Sequence, residues 1–222
     1  MTHLEEKLNL LKQEITEMFV LVHTQLEKTK KAVLEFDKDF AHEIISNERR
    51  VNAYELKIDR DCENIFALYQ PVAIDLRYVL ALLKINTNLE RTGDIAKGIA
   101  KFIIDAEKPL DKKLIEASQL DKMFDEALVV TEDIEKAFST ENTALARSIF
   151  KQDEILDAIN RAAHKKISAY IKEHPENTEE ALHAFSTIRK LERVGDQAKN
   201  MAEEIIFYLE AKVLKHSKKL NQ

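Results

Sequence analysis

The stretch LERTGD, residues 89–94, returns almost unchanged as LERVGD, residues 191–196. Extended to twelve residues, LERTGDIAKGIA and LERVGDQAKNMA agree at eight positions, among them Glu90/Glu192, Arg91/Arg193, Gly93/Gly195, Asp94/Asp196 and Lys97/Lys199. The copies stand 102 residues apart in a chain of 222. The sequence therefore reads as one unit duplicated within the chain, each copy carrying its own version of one site.

Both copies fall in long helical patterns, where a Glu at i and an Asp at i+4 share a face one turn apart. Like charges so placed weaken an isolated helix by about 0.2–0.5 kcal/mol, and an interior Gly costs about 1 kcal/mol relative to Ala. Two of the chain's three glycines occupy this spot. A cation held by the carboxylates would offset the repulsion, and the missing side chain would let a ligand or a neighbouring helix come close. The plain alternative is a solvated acidic stripe, with Arg91 and Arg193 pairing with Asp94 and Asp196.

Composition points to an all-α protein. With 45% hydrophobic residues the chain can bury a substantial core, and 33% charged residues with three Gly, three Pro and no Trp is the balance of long helices joined by short turns. A net charge of −6 argues against a general grip on nucleic acid, which needs a basic face. The basic tail KVLKHSKK reads as a cationic helix end complementing the macrodipole. Cys62 is alone, so it is expected as a small core residue rather than a disulfide or metal thiolate. No segment has the order of a signal peptide or the ~20 apolar residues of a spanning helix, so a cytoplasmic location is expected, with membrane contact only through partners.

Helical spacing of Leu4, Leu8, Leu11, Ile15, Met18, Phe19, Val22, Leu26 and Val33 predicts a first helix over residues 4–34. Capping residues at 36–39 precede a second helix over 40–69, and Gln70-Pro71 ends it before a third over 72–105. Glu107-Lys108-Pro109-Leu110 reads as a linker. Beyond it, a fourth helix is expected over 111–138, a fifth over 143–172 and a sixth over 178–215, with turns at Ser139-Asn142 and His174-Asn177. The expected fold is two pseudo-symmetric three-helix bundles, residues 1–106 and 111–222.

If the second and third helices run antiparallel about a turn near residue 72, Glu90 and Asp94 lie level with about residue 52. That stretch offers Glu48, Asn52, Glu55 and Asp59. In the second half the turn near 175 brings Asp153 and Asp157 level with Glu192 and Asp196. Each half thus places oxygen ligands from two helices at one height. All-oxygen sites suit hard ions such as Mg, Ca, Mn or iron. The motif Glu180-x-x-His183 lacks the second Glu-x-x-His of a di-iron four-helix protein, since Asp39-x-x-His42 sits at the wrong helix start. The scattered His residues offer no arrangement for nucleophilic catalysis.

At these residues the chain resembles the PhoU family of phosphate-signalling proteins. The resemblance spans the whole length and rests on Pro71-Val72-Ala73-Ile74-Asp75-Leu76-Arg77, close to the family's P-V-A-x-D-L-R turn, followed by E-R-x-G-D at 90–94 and again at 192–196. It implies tandem three-helix repeats and a cytoplasmic, commonly dimeric regulator without a catalytic reaction. Such a regulator couples a phosphate ABC transporter to a membrane sensor histidine kinase and restrains the starvation response. It also implies metal ions (Fe, Mn or Mg) on paired (E/D)xxxD motifs, here Glu90, Asp94, Glu192, Asp196, Asp153 and Asp157. Glu48 and Asn52 match the remaining pair, with Glu55 and Asp59 a second option. The family wording N-I-A-E is met by Asn200-Met201-Ala202-Glu203, whereas the first copy has Gly98 and Lys101 there, so the second site is expected to be the fuller one. The second half lacks the PVAIDLR wording, which makes Asp75 and Arg77 candidates for partner contact. The other reading is a metal-free helical interaction protein.

Overall fold

The structure, a computed structural model, describes residues 2–214. Helix α1 (His3–Leu34) buries Leu11, Ile15, Met18, Phe19, Val22, Leu26 and Val33, the stripe its spacing predicted. Its first turn is closed by a capping box in which Thr2 accepts from Glu5 N and the Glu5 carboxylate accepts from Thr2 N. Asp37 caps α2 (Lys38–Tyr69), accepting from Asp39 N and Phe40 N. Gln70 in the left-handed region and Pro71 then turn the chain into α3 (Ala73–Asp105). These three helices pack on one another as an antiparallel bundle.

The second half departs from the expected three helices. In place of one helix over 111–138 stand α4 (Lys112–Ser118) and α5 (Leu120–Ser139), broken at Gln119, whose φ of 60° no α-helix accommodates. The break lets Leu114 and Leu120 both reach the interior, where both are fully buried. An unbroken 3.6-residue period would have set them about 120° apart around the axis. Helix α6 (Thr143–Glu173) starts at Asn142, which accepts from Leu145 N, and a 3-10 turn (Pro175–Asn177) leads into α7 (Thr178–Glu210). Helix α7 stops at Ala211 in the left-handed region, earlier than the expected residue 215. Lys212 of the basic tail therefore lies beyond the helix, and residues 215–219 of that tail lie outside the described residues.

The two bundles share one continuous core. Helix α3 packs against α7 as extensively as against its own neighbour α2, and α1 also touches α5. The α3/α7 seam is antiparallel. Along it Tyr78 and Tyr208 meet edge to face with centroids 5.1 Å apart, Lys84 pairs with Glu204 at 3.0 Å, Asn200 donates to Asn88 at 3.3 Å, and Phe102 stacks on His183. Burial of Phe124, Phe138, Leu82 and Ile99 in this core stabilises by about 1.5–3 kcal/mol per side chain. Cys62 is also fully buried, and burial pushes its thiol up to about 12. Among the described residues no helix is long and apolar enough to cross a membrane.

Candidate metal centre

The glycines of the repeated motif admit helices. Gly93 and Gly195 both have ordinary helical φ, and a Cβ at Gly195 would stand 2.6 Å from Asp153 Oδ1 and 2.6 Å from Leu156 Cδ1. A Cβ at Gly93 would stand 3.1 Å from Val51 Cγ1. In each half the missing side chain lets the preceding long helix, α2 or α6, lie against the motif helix. That approach brings the carboxylates of two helices to one level.

In the first half, Glu48 from α2 meets Glu90 and Asp94 from α3, with one carboxylate oxygen of each within 4.8 Å of the others. Asp94 is exposed and Glu90 half-buried, but Glu48 is only 3% exposed and both its oxygens lack a hydrogen-bond donor. Lys97 is its nearest cation, 3.6 Å from Oε1. Burial pushes the Glu48 carboxyl up to about 7; Lys97 opposes the rise, and the neighbouring acids Asp94 and Glu90 add to it. The Glu90 carboxyl is raised too, by burial and then by Asp94 and Glu55. A buried carboxylate with two free oxygens facing two further acids is poorly satisfied as it stands. Its donor set, all hard oxygen, is what a divalent or trivalent cation takes.

The other sequence candidates divide. Glu55 is close enough to Asp94 and Asp59 for both to raise its carboxyl, after burial. Asp59 instead accepts from the buried Asn86 side chain at 2.9 Å, which ties it to the α2/α3 core contact. Asn52 is half-buried one turn from Glu48.

In the second half Asp153 is the counterpart of Glu48, 4% exposed, and its carboxyl is raised by burial against the opposing effect of Lys199. Lys199 Nζ lies 2.6 Å from Asp153 Oδ2 and 2.8 Å from Asp196 Oδ1. Burial raises the Glu192 carboxyl, with Asp196, Asp157 and Asp153 adding, and Asp157 lies 3.7 Å from Arg161. The sequence expectation that the second site is the fuller one meets a different geometry: three carboxylates converge in the first half, while an ammonium sits between two of them in the second. Asn200 points across the α3/α7 seam to Asn88, and Glu203 is half-buried a turn further along α7. Lys97 and Lys199 were overlooked as site residues in the sequence. Their signal was there, a lysine three residues after the aspartate in both copies.

Asp75 and Arg77 are less exposed than their place beside a turn implied. Both are half-buried, and Arg77 Nε is enclosed without a partner. Beside the exposed Gln70, that turn displays apolar side chains: Leu68 at 73%, Val72 at 71% and Ile74 at 52%. A helix start with no side-chain cap displays them.

Helical halves that repeat, pack on a shared seam and each carry an acidic cluster define an all-α tandem-repeat protein. The PhoU domain model matches residues 15–103 and again 120–205, and the chain belongs to the PhoU family. It is 30% identical over 214 residues to the phosphate-specific transport system accessory protein PhoU homolog 1 of Thermotoga maritima, covering 96% of this chain and 91% of that one. Against the corresponding homolog of Aquifex aeolicus it is 30% identical over 206 residues, 92% of each. The crystal structure of the phosphate transport system regulatory protein PhoU from Streptococcus pneumoniae superposes with a TM-score of 0.86 at 27% identity, covering 96% of this chain and 100% of that one. PhoU from Pseudomonas aeruginosa gives 0.85 at 25% identity over 94% and 99%.

Proposed function

We propose that the chain is a metal-binding accessory regulator of phosphate transport, acting in the cytoplasm as a homodimer. In this reading it couples a phosphate ABC transporter to a sensor histidine kinase, restrains uptake and starvation signalling, and catalyses no reaction. The names of its relatives support the phosphate-transport role. The observation that carries the metal reading is Glu48, buried with two unpartnered oxygens beside Glu90 and Asp94. Glu48, Glu90 and Asp94 would hold the ion, with Asn52 and Glu55 nearest to complete the set. In the second half Glu192, Asp196, Asp153 and Asp157 would do so. A bound Fe, Mn or Mg ion would supply positive charge that draws α2 and α3, or α6 and α7, together at one level. The metal-free alternative draws support from Lys199, which already neutralises part of the second cluster.

Elemental analysis of the purified chain after dialysis without chelator separates the two. Beside the wild type stand Glu48→Gln/Asp94→Asn and Glu192→Ala/Asp196→Ala. Stoichiometric metal in the wild type, lost from the first double variant with helicity intact, is the expected result. A wild type that retains no metal even after addition of Mn, Fe or Mg would sink the reading.

The turn between α2 and α3 is our candidate for transporter contact, with Val72 and Ile74 supplying apolar area and Asp75 and Arg77 the polar edge. Val72→Glu/Ile74→Glu is expected to weaken association with the transporter's cytoplasmic subunits by about tenfold or more, and Asp75→Ala/Arg77→Ala by less. Unchanged capture of those subunits by both double variants would discard the surface.

A further inference from the structure

The two lysines of the repeated motif stand at equivalent places and meet equivalent acids, but at different distances. Each follows its motif aspartate by three residues and reaches toward the buried acid of the facing helix. In the second half Lys199 makes two short charge-assisted hydrogen bonds, 2.6 Å to Asp153 and 2.8 Å to Asp196. In the first half Lys97 donates a long hydrogen bond to Asp94 at 3.3 Å and makes only a 3.6 Å ion pair with Glu48, neither of whose oxygens receives a hydrogen bond, whereas in Asp153 only Oδ1 is left without one.

The difference has a steric origin. Asp153 is one methylene shorter than Glu48, and its Oδ1 lies against the backbone of α7, 2.6 Å from where a Gly195 Cβ would stand. Its second oxygen is thereby presented to Lys199. The longer Glu48 side chain carries its carboxylate out to Glu90 and Asp94, where three acids converge and Lys97 approaches no closer than 3.3 Å to Asp94 and 3.6 Å to Glu48.

We propose that Lys199 is a tethered counter-cation occupying the second carboxylate set. Hard metal ions then load the first half, and the second accepts one only when Lys199 is withdrawn. This rests on the metal-binding reading of the first half for its loading order, but the closure by Lys199 stands separately. It makes the two halves of a duplicated protein unequal ligand sites, one open and one self-closed, with Lys199 setting the threshold.

The test is a Mn2+ titration of the full chain after chelator treatment and dialysis, with free Mn2+ read by electron paramagnetic resonance. Wild type, Lys199→Met, Glu48→Gln/Asp94→Asn and the triple variant are compared. The wild type is expected to take one tight equivalent, lost in Glu48→Gln/Asp94→Asn. Lys199→Met is expected to gain a second, at least about tenfold tighter than any second-half binding in the wild type. The triple variant should keep that second equivalent alone. If Lys199→Met binds Mn2+ at the second half no more tightly than the wild type, the inference is overturned while the first-half reading stands. If the wild type binds none and Lys199→Met binds one, the first-half reading fails and the closure is upheld. Should Lys199→Met not fold without metal, Lys199→Gln, neutral yet still able to donate to Asp153, takes its place with the same outcomes.

Discussion

In metal-free buffer, Glu48→Gln stabilises the folded chain by about 2–3 kcal/mol at pH 8, and the gain shrinks towards zero at about pH 4. The Glu48 carboxyl titrates near the ordinary 4.5 when unfolded and is raised to about 7 in the fold, first by burial. Between those values the folded chain holds a proton that the unfolded chain has released. Stability of the wild type therefore falls as pH rises through that window, and the neutral amide escapes the loss. Carboxyls held low, such as Glu210 through its Lys212 hydrogen bond, act with the opposite sign. They are the same in both proteins and cancel in the difference. Urea denaturation of the pair across this pH range, with chelator present, reads the effect directly. Saturating Mn2+ should cancel it, because an ion binds the ionised wild-type acid and, at a hundred times its dissociation constant, adds about 2.7 kcal/mol. Equal stability of the two proteins at pH 8 would mean that water or a rearranged Lys97 already satisfies Glu48.

Gly195→Val is expected to cost about 3 kcal/mol or more, and Gly195→Ala about 1–2 kcal/mol, both measured as shifts in the urea midpoint. The Cβ alone meets two atoms at 2.6 Å, one on Asp153 and one on the fully buried Leu156. Neither has room to yield, since Leu156 is packed in the core and Asp153 is tied to Lys199. A helix-stabilising alanine would ordinarily gain up to about 1 kcal/mol over glycine, so a net loss isolates the helix contact. Gly98→Ala is the control. Its Cβ would meet chiefly Lys190 Nζ, at 3.1 Å, the mobile end of a long side chain, so stability there should hold or rise. A Gly195→Ala protein as stable as the wild type would show that α6 and α7 can part without loss.

The repeated LERxGD wording, the capping residues Asp37 and Asn142, and the 3.6-residue apolar stripe of α1 are local signals. They suffice for an all-α tandem repeat whose acidic pairs lie on long helices, because helix periodicity and capping depend on neighbours within a few residues. The level of Glu48 and Asp153 opposite the motifs follows from antiparallel geometry alone once the turns at Pro71 and Pro175 are placed. The break at Gln119 was not legible, since no Gly or Pro marks it and only the fold shows Leu114 and Leu120 on either side of it both fully buried. Nor could spacing choose among Glu48, Asn52, Glu55 and Asp59: Asn86, from the facing helix, takes Asp59, and burial singles out Glu48. The sequence by itself determined which residue types stand at one height. The tertiary structure decided which carboxylate is stripped of water and which is met by a lysine, because desolvation and ion pairing depend on distances of a few ångströms across helices far apart in the chain.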